Sequence, residues 1–382
     1  MHKIRTYNAI SEKINNILNE EEFEVVNSGE PHGIIVRSYN LHNENFGKDI
    51  LAIARAGAGY NNIPVEKCTD EGIVVFNTPG ANANAVRELT ICAIIMASRN
   101  VLECIEWTGK LSGVDIPKQA EKGKSQFVGN EVKGKTLGIL GLGATGALVA
   151  DVAVSMGMKV VGYDPHLNIS NAWKLNNHVL PVSEDELIKT SDFISIHAPL
   201  TDETTGKYSR DFISKTKKGV VLLNFSRAEV ANEDDIKAAI NSGHVKKYVV
   251  DFPTQGLLNV PNVIVMPHIA SGSFEAEDNC AVMAARELRD YLKDGNIANS
   301  VNYPNCFKSK VSDGHRLCVI FKGDSTVLTN ILGALNNQNE FEVTSNFNDR
   351  YGYALVDFIN EIHEDVIVTI ENIKDVIKAR IV

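Results

Sequence analysis

The stretch Lys135-Thr-Leu-Gly-Ile-Leu-Gly-Leu-Gly-Ala-Thr-Gly146 decides the fold of this chain. Its first residues have the apolar pattern of a buried β-strand, and they run directly into a Gly-x-Gly-x-x-Gly loop. Residues 144–156 then show the apolar spacing of a helix, and Lys159-Val-Val-Gly-Tyr163 has the pattern of a second strand. This succession of strand, loop, helix and strand predicts a parallel α/β layer.

Glycines at this point of an α/β layer let the backbone approach a pyrophosphate at the positive end of a helix dipole. We therefore predict a dinucleotide-binding loop that comprises Gly141, Gly143, Ala144, Thr145 and Gly146. Asp164 lies 18 residues beyond Gly146, where a carboxylate can accept hydrogen bonds from an adenosine ribose, and Pro165 follows it. Since a carboxylate repels a 2′-phosphate, the predicted cofactor is NAD rather than NADP. The alternative is an ordinary glycine-bearing loop in a doubly wound sheet.

The composition of the 382-residue chain, with 44% apolar and 23% charged residues, is that of a globular protein. At roughly 150 residues per domain, this length predicts about two to three domains. A net charge of −10 argues against a nucleic-acid partner, because a phosphate backbone requires clustered Lys and Arg. The longest apolar run, residues 91–97, is too short to span a membrane, so we expect no membrane partner.

The first residues of the chain lack the apolar core of a secretory signal, so we expect a cytoplasmic protein. The 6 cysteines are widely spread and include no Cys-x-x-Cys pair. We therefore expect reduced thiols and no metal site.

The chain outside the glycine loop predicts two further domains. Residues 1–98 hold a second, weaker alternation of strands and helices. We predict a Rossmann-type doubly wound NAD domain over residues 99–278, inserted into a flavodoxin-like substrate domain formed by residues 1–98 and 279–301. Residues 302–311 have the composition of a linker. Residues 312–382 show the order βαββαβ, which is typical of a ferredoxin-like module for ligand sensing or assembly.

Polar residues that could carry chemistry follow the later strands of the predicted NAD domain, in Asn224-Phe-Ser-Arg227, Asp251 and Pro267-His268. Ligands gather at the carboxyl ends of the strands in open α/β sheets. An arginine can hold a carboxylate with two hydrogen bonds, and a histidine can exchange a hydroxyl proton while hydride moves to the cofactor. Together, Arg227 and His268 outline a 2-hydroxy acid dehydrogenase site. Taken singly, Arg227 would more often be a surface cation and His268 a structural histidine.

These segments resemble a known family. With Arg55-Ala-Gly-Ala-Gly59 and Asn77-Thr-Pro-Gly-Ala-Asn82, they look like the D-2-hydroxyacid dehydrogenases of the formate/glycerate type. The two N-terminal motifs narrow the resemblance to the branch that oxidises D-3-phosphoglycerate to 3-phosphohydroxypyruvate in serine biosynthesis. The C-terminal βαββαβ module resembles the ACT regulatory domain of that branch, so the resemblance covers essentially the whole chain.

The resemblance implies a small phosphorylated hydroxy acid as the substrate and NAD as the cofactor. In the family, the Arg-Ala-Gly loop holds the substrate carboxyl group, Arg227 polarises the reacting oxygen, and His268 takes the hydroxyl proton. The expected substrate contacts in this sequence are Arg55, Ala56, Gly57, Asn77, Arg37 and Arg87. The last two are candidates for the phosphate end because a dianion needs a nearby cation, and their alternative is a solvated or interface arginine.

Further cofactor contacts are expected from His197, Ala198, Pro199, Asn224, Phe225, Ser226, Asp251 and Ala270. The segment His197-Ala-Pro199 resembles the family loop that packs against the adenine, although a plain strand exit would look the same. In relatives, the helical arm near Leu89–Trp107 packs between cofactor domains. The resemblance therefore implies a homodimer, which the ACT-type modules could extend to a homotetramer.

One catalytic position departs from the family pattern. The family pairs its catalytic histidine with a glutamate in a segment resembling Asp-Val-Phe-x-x-Glu-Pro, whereas this chain has Asp251-Phe-Pro-Thr-Gln255-Gly256. We expect Gln255 to occupy the matching place in the catalytic site. An amide can orient an imidazole but has no charge that favours its protonated form. We therefore expect a slow enzyme, unless Glu229 or Glu275 supplies the carboxylate.

Two alternatives remain open at the level of function. The chain could be a dehydrogenase for another D-2-hydroxy acid, or a catalytically weakened regulator that binds NAD or an effector. The second is suggested by Gln255 and by the turn Phe321-Lys-Gly-Asp-Ser-Thr326. This turn lacks the His and Asn that serine-binding relatives carry there, so it does not predict feedback by serine.

Overall fold

The computed structural model describes residues 1–167, 172–173, 175–309, 314–335, 340–359 and 364–382. These residues form two compact units, which we treat separately. The first unit comprises Met1–Asn82 and Phe274–Val382, and the second comprises Ala83–Ser273. Residues 310–311 of the expected linker, and residues 312–313, 336–339 and 360–363 of the expected C-terminal module, lie outside the described residues.

The first unit contains a five-stranded parallel sheet in the order β2-β1-β3-β4-β5. Its strands are β1 (His2–Tyr7), β2 (Phe23–Val26), β3 (Gly33–Val36), β4 (Ala52–Arg55) and β5 (Val74–Asn77), and α1 (Val65–Asp70) precedes the last. This strand order is that of a flavodoxin-like domain, so that prediction is confirmed. In the sheet, Arg55 pairs with Val36 on one side and with Asn77 on the other. The carboxyl ends of β3, β4 and β5 therefore lie side by side.

The second unit contains a seven-stranded parallel sheet in the order β12-β11-β10-β9-β6-β7-β8. Its strands are β6 (Thr136–Leu140), β7 (Lys159–Tyr163), β8 (Val179–Pro181), β9 (Phe193–Ile196), β10 (Val220–Asn224), β11 (Val245–Val250) and β12 (Val263–Val265). Its helices are α2 (Ala83–Arg99), α3 (Val101–Gly109), α4 (Ile116–Gly123), α5 (Ala144–Ser155), α6 (Glu184–Thr190), α7 (Arg210–Ser214) and α8 (Glu233–Asn241). The predicted Rossmann-type doubly wound order is confirmed.

Alternate residues of these strands enter two separate apolar cores, one on each face of the sheet. In β10, Val221 and Leu223 join the core that α2 and α5 cover, whereas Val220 and Leu222 join the core that α6, α7 and α8 cover. Because side chains alternate along a strand, a strand that is apolar at every position is buried on both faces.

The C-terminal part of the first unit folds as the predicted ferredoxin-like βαββαβ module. Its elements are β13 (His315–Lys322), α10 (Ser325–Ala334), β14 (Phe341–Phe347), β15 (Tyr351–Phe358), α11 (Glu364–Glu371) and β16 (Val376–Ile381). They follow α9 (Phe274–Asp294), and the antiparallel sheet has the order β14-β15-β13-β16.

This antiparallel sheet shares a hydrophobic core with the parallel sheet of the same unit. Tyr291 and Leu292 of α9 lie in one buried cluster with Ile320 and Tyr353 of the antiparallel sheet. The guanidinium of Arg380 lies 4.3 Å from the centre of the Tyr291 ring. The C-terminal module is therefore packed against the rest of its unit and does not stand apart from it.

The expected domain boundaries at residues 98 and 278 differ from the division by packing, which falls at residues 82 and 273. Helix α2 belongs to the second unit because Ala93, Ile94 and Ala97 enter the core that also contains Val149 of α5. Whether residues 312–382 function as a separate domain remains a prediction.

Within the described residues, no helix combines the length and the apolar character that crossing a membrane requires. The cysteines at positions 68, 92, 104, 280, 306 and 318 are free thiols.

Candidate active site

The polar segments that the sequence singled out in the second unit all follow strands of one parallel sheet. They begin at Gly141 after β6, Asp164 after β7, His197 after β9, Asn224 at the end of β10, Asp251 after β11 and His268 after β12. Since the strands all run in the same direction, these segments collect along one edge of the sheet. The strand order reverses at β6, between β9 and β7, and open α/β sheets bind their ligands at such a point.

The glycine loop is shaped by close approaches that only glycine permits. Gly141 has φ +92°, and a Cβ atom there would meet the backbone of His197 and Ala198. A Cβ atom at Gly146 would collide with the carbonyl oxygen of Gly141. Gly143 opens α5 with no side-chain cap, and the space beside its Cα atom is empty. The loop therefore offers uncapped helical N–H groups to an anion.

Asp164 directly follows β7 and is hydrogen-bonded to the glycine loop. Its Oδ2 accepts a hydrogen bond from the Leu142 N–H at 2.8 Å, and its Oδ1 accepts one from the His166 N–H at 2.9 Å. Ala144 and Pro165 are exposed, and Thr145 is half-buried. The Asp164 carboxylate is thus fixed beside the loop without being buried.

The imidazole of His197 is a neutral, enclosed group next to the glycine loop. Its Nε2 is 2.8 Å from the Ser195 hydroxyl, while its Nδ1 is buried with no hydrogen-bond partner among the described residues. Burial lowers the pKa of His197 to about 4. After it, the Pro199 carbonyl accepts a hydrogen bond from the Thr204 hydroxyl at 2.6 Å.

Asn224 is fully buried and builds the turn that carries Arg227. Its Nδ2 donates to the carbonyl oxygen of Arg227 at 2.8 Å, and its Oδ1 accepts from the Ser226 N–H at 3.0 Å. The Ser226 hydroxyl donates to the Ala198 carbonyl, which joins this turn to the segment after β9. Phe225 is buried in the core of the sheet. The Arg227 side chain is half-buried, and its Nη1 donates to the Ser226 carbonyl at 2.7 Å.

Asp251 holds the turn that carries His268. Asp251 is 1% exposed, and its two oxygens accept hydrogen bonds from the N–H groups of Ile269 at 2.8 Å and Ala270 at 2.7 Å. His268 is exposed and has φ +55°, a backbone conformation that is uncommon outside glycine. Its ring centre is 4.9 Å from that of Phe252. Since backbone groups occupy both Asp251 oxygens, its predicted contact with a cofactor stays a prediction.

Gln255 is exposed, and among the described residues no hydrogen bond joins it to His268. The segment around Gln255 lies against α8, where the Thr254 hydroxyl donates to Glu233 at 2.6 Å. The two carboxylates considered as substitutes, Glu229 and Glu275, are both exposed and belong to different units. The pairing of His268 with Gln255 therefore stays a prediction.

In the first unit, the Arg55-Ala-Gly loop is held by backbone contacts at the ends of β3 and β5. The Ala56 N–H donates to the Val36 carbonyl at 2.8 Å, and the Thr78 N–H donates to the Gly57 carbonyl at 3.1 Å. The Asn77 Nδ2 donates to the Ala58 carbonyl at 2.6 Å. Gly57 has φ +144°, and a Cβ atom there would collide with the Arg55 guanidinium, which folds back over the loop.

The two arginines proposed for a phosphate lie in different units. Arg37 follows β3 in the first unit, and its Nη2 is 2.6 Å from Oε1 of Glu277 on α9. Arg87 lies on α2 in the second unit, where its Nη2 is 3.3 Å from Oε1 of Glu88. Each guanidinium therefore already has a carboxylate beside it.

A buried acid is linked through Asn299 to Asn77 at the end of β5. Glu287 of α9 is 6% exposed, and burial raises its pKa to about 8. Its Oε1 accepts a hydrogen bond from Asn299 Nδ2 at 2.9 Å, whereas its Oε2 has no hydrogen-bond partner among the described residues. The Asn299 carbonyl in turn accepts the Asn77 N–H at 3.3 Å. Sequence reasoning missed Glu287, although its position seven residues after Cys280 and four before Tyr291 places it on the buried face of α9.

The arrangement in the second unit has the parts that a dehydrogenation needs. An uncapped helix start and a fixed carboxylate suit a dinucleotide, while Arg227 and His268 supply a cation and an imidazole at the same edge. Such groups can orient a carboxylate and exchange a hydroxyl proton.

Comparisons with known proteins agree with this interpretation. Residues 91–270 match the model of the family described as D-isomer specific 2-hydroxyacid dehydrogenase, NAD binding domain. A D-3-phosphoglycerate dehydrogenase of Mycobacterium leprae is 33% identical over 257 residues, which cover 65% of this chain and 46% of that protein. One from Bacillus subtilis is 31% identical over 296 residues, 74% of this chain and 54% of that protein. The chain thus spans about half the length of the curated relatives it matches.

Two solved structures are also similar. The NAD⁺-bound 3-phosphoglycerate dehydrogenase of Entamoeba histolytica has a TM-score of 0.62 and 30% identity, covering 79% of this chain and 98% of that one. The D-mandelate dehydrogenase of Rhodotorula graminis has a TM-score of 0.66 at 20% identity, covering 78% of this chain and 97% of that one. The second likeness concerns the fold alone.

Proposed function

The chain belongs to the D-isomer specific 2-hydroxyacid dehydrogenase family, and from this we propose that it oxidises D-3-phosphoglycerate to 3-phosphohydroxypyruvate with NAD. This reaction is the entry step of serine biosynthesis. The observation that carries the proposal is the common edge of the seven-stranded sheet, where the glycine loop, Asp164, Arg227 and His268 follow strands of the same direction. Such an edge is where α/β dehydrogenases bind cofactor and substrate.

The residues at this edge fit NAD. The uncapped start of α5 suits a pyrophosphate, and the Asp164 carboxylate suits ribose hydroxyls while repelling a 2′-phosphate. The buried Nδ1 of His197 leaves a hydrogen-bonding atom without a partner among the described residues, beside the same loop. When bound, NAD supplies the hydride acceptor. The other proposed contacts are Gly141, Gly143, Ala144, Thr145, Gly146, Pro165, Ala198, Pro199, Asn224, Phe225, Ser226, Asp251 and Ala270.

The first unit would supply the loop that holds the acid end of the substrate. We assign Arg55, Ala56, Gly57 and Asn77 to this task, with Arg37 and Arg87 as the cations for the phosphate. Arg227 of the second unit would bind the substrate carboxylate and polarise the reacting oxygen. These assignments would provide arginines for both anionic groups of the substrate, its carboxylate and its phosphate dianion.

His268 would take the hydroxyl proton as hydride leaves the carbon that bears this hydroxyl group. Its exposed ring can exchange that proton with water between turnovers. Gln255 is the proposed partner that orients the ring. Because an amide carries no charge, it does not stabilise an imidazolium as a carboxylate would, and we propose that turnover is slow for this reason.

The proposal is tested by following NADH formation from D-3-phosphoglycerate and NAD with the purified chain across pH. Parallel reactions contain D-glycerate or D-lactate, and NADP replaces NAD in a further series. Turnover that prefers the phosphorylated acid and NAD supports the proposal. Turnover of unphosphorylated acids alone indicates a dehydrogenase for another D-2-hydroxy acid. NAD binding without turnover of any of these acids indicates a regulator.

We also propose that the protein is a cytoplasmic homodimer, or a homotetramer, that binds neither nucleic acid nor membranes. Helix α3 supports a contact between copies, because Leu102 and Ile105 on it are 42% and 64% exposed. The C-terminal module is the proposed ACT-type regulatory domain. Its first turn is closed internally, where Asp324 accepts a hydrogen bond from the Thr326 N–H at 2.9 Å.

A further inference from the structure

The ion pair between Arg37 and Glu277 lies within the first unit, close to the loop proposed to hold the substrate. Arg37 follows β3 and Arg55 ends β4, and these strands are neighbours in the parallel sheet. Glu277 belongs to the first turn of α9, and Cys280 follows it on the same helix. Burial raises the pKa of the Cys280 thiol, while the guanidinium groups of Arg55 and Arg37 act in the opposite direction and Glu277 acts with burial. Arg55 and the Arg37–Glu277 pair therefore both lie near this thiol.

The pair is accessible to a ligand. The Arg37 and Glu277 side chains are 39% and 40% exposed, and their closest atoms are 2.6 Å apart. An ion pair with this exposure contributes little to the stability of a protein, so a ligand can compete for the guanidinium. A phosphate dianion that approaches Arg37 would also meet the Glu277 carboxylate and be repelled by it. A neutral hydroxymethyl group would not.

We propose that Glu277 determines specificity at the proposed substrate site by disfavouring substrates with a dianionic tail relative to those with a neutral tail. This inference rests on the proposed function for the position of Arg37 at the phosphate end. The Glu277 carboxylate forms an ion pair with Arg37 and lies in the electropositive first turn of α9. It therefore competes with a substrate phosphate for the positive charge at this place. Glu277 thus lowers the ratio of kcat/KM for a phosphorylated acid to kcat/KM for its unphosphorylated counterpart.

The chain offers a matched control in Asp278, the next residue on α9. Its carboxylate lies 2.6 Å from Nζ of Lys13 and accepts a hydrogen bond from the Ser11 hydroxyl at 2.5 Å, so it pairs with a different cation. Glu277→Gln and Asp278→Asn both remove one negative charge from the same helical turn. Only Glu277→Gln removes the carboxylate that pairs with Arg37. A third variant, Glu277→Asp, retains the negative charge.

The test compares kcat/KM for D-3-phosphoglycerate and D-glycerate, which differ by the phosphate. We expect Glu277→Gln to raise the ratio of the two values by about threefold to tenfold, and Asp278→Asn and Glu277→Asp to leave it within about twofold. The gain should shrink at high ionic strength, because salt screens exposed charges. A ratio that Glu277→Gln leaves unchanged or lowers, or that Asp278→Asn raises equally, overturns the inference.

A binding measurement separates this inference from the proposed function. Isothermal titration calorimetry of the NADH-loaded wild-type and variant proteins gives the dissociation constants of both acids without any turnover. If the chain oxidises neither acid, the proposed function fails, yet the ratio of dissociation constants still decides the role of Glu277. Equal ratios in wild type and Glu277→Gln, or no binding of either acid to any of the proteins, overturn the inference.

Discussion

The backbone N–H of Ala270 donates to Oδ2 of Asp251 at 2.7 Å. A buried carboxylate at the end of β11 thereby fixes the turn after β12, and with it the position of the imidazole proposed to move a proton. A hydrogen bond between residues 19 positions apart sets this part of the site.

Asp251→Asn should lower kcat by about tenfold to a hundredfold, because an amide can accept only one of the two N–H groups and the imidazole is misplaced. It should also cost about 1–3 kcal/mol of unfolding free energy. Asp192 is the matched control, since it accepts the Thr136 N–H at 2.9 Å but precedes β9, at the opposite edge of the sheet. Asp192→Asn should destabilise without slowing turnover. Equal losses of kcat in both variants would contradict the positioning role.

Asp164→Asn should raise kcat/KM for NADP by at least about tenfold and lower it for NAD, because the charge that repels a 2′-phosphate is lost. The control is Asp151→Asn on α5, where the carboxylate accepts Asn176 Nδ2 at 2.8 Å on the exposed surface of the unit. Steady-state kinetics with both cofactors checks the outcome. If Asp164→Asn left the ratio of kcat/KM for NADP to that for NAD unchanged, the adenosine ribose would have to bind away from Asp164.

Gln255→Glu should increase kcat in the direction of ketone reduction and move the acid–base profile of kcat/KM to higher pH, because a carboxylate favours an imidazolium beside it. Rates measured across pH in both directions check this. The exposed residue Leu258 in the same segment provides a control, and Leu258→Glu should leave the profile where it is. A profile identical to that of the wild type would reject a direct pairing with His268.

Glu287→Gln should make the protein less sensitive to alkaline pH. The pKa of Glu287 is raised from 4.5 to about 8 by burial, so the folded chain retains a proton that the unfolded chain releases above about pH 4.5. Unfolding free energy should therefore fall between these two pH values in the wild type, by at most a few kcal/mol. The amide stays neutral, so the unfolding free energy of the variant should match that of the wild type below about pH 4 and exceed it above about pH 8. Urea titrations at several pH values check this, and parallel curves would contradict it.

Ile105→Asp should weaken self-association, because it places a charge on the exposed apolar face of α3. Leu180→Asp is the control, since Leu180 is a similarly exposed apolar residue, 57% exposed, on the edge strand β8. Sedimentation velocity over a range of concentrations distinguishes the two variants. If the chain is monomeric without substitution, or if both variants dissociate equally, α3 is not the contact.

Most of the fold could be predicted because it depends on local patterns. The strand at Lys159–Tyr163 and the helix that begins at Ala144 agree with the structure in their observed bounds, since apolar periodicity and the glycine loop both act over short distances. The membership of α2 could not be predicted in this way. Its apolar face fits any core, and only its packing beside Val149 assigns it to the second unit.

The candidate site could also be predicted only in part. Arg227 and His268 stand at strand ends, which a sequence reveals, whereas the partner of each arginine does not follow from local sequence. Arg37 and Glu277 are separated by 240 positions, and their pairing depends on where α9 crosses the sheet. Glu287, by contrast, shares the helical spacing of the buried residues Cys280 and Tyr291, and this local signal was not used.

The hydrophobic core that Tyr291 and Leu292 share with Ile320 and Tyr353 makes the C-terminal module a structural part of its unit. A truncation that removes the C-terminal module would instead expose aromatic side chains of α9 to water. The shortened chain would be expected to aggregate rather than to act as an unregulated enzyme. Any signal received by the module would reach α9 through the side chains that pack between them.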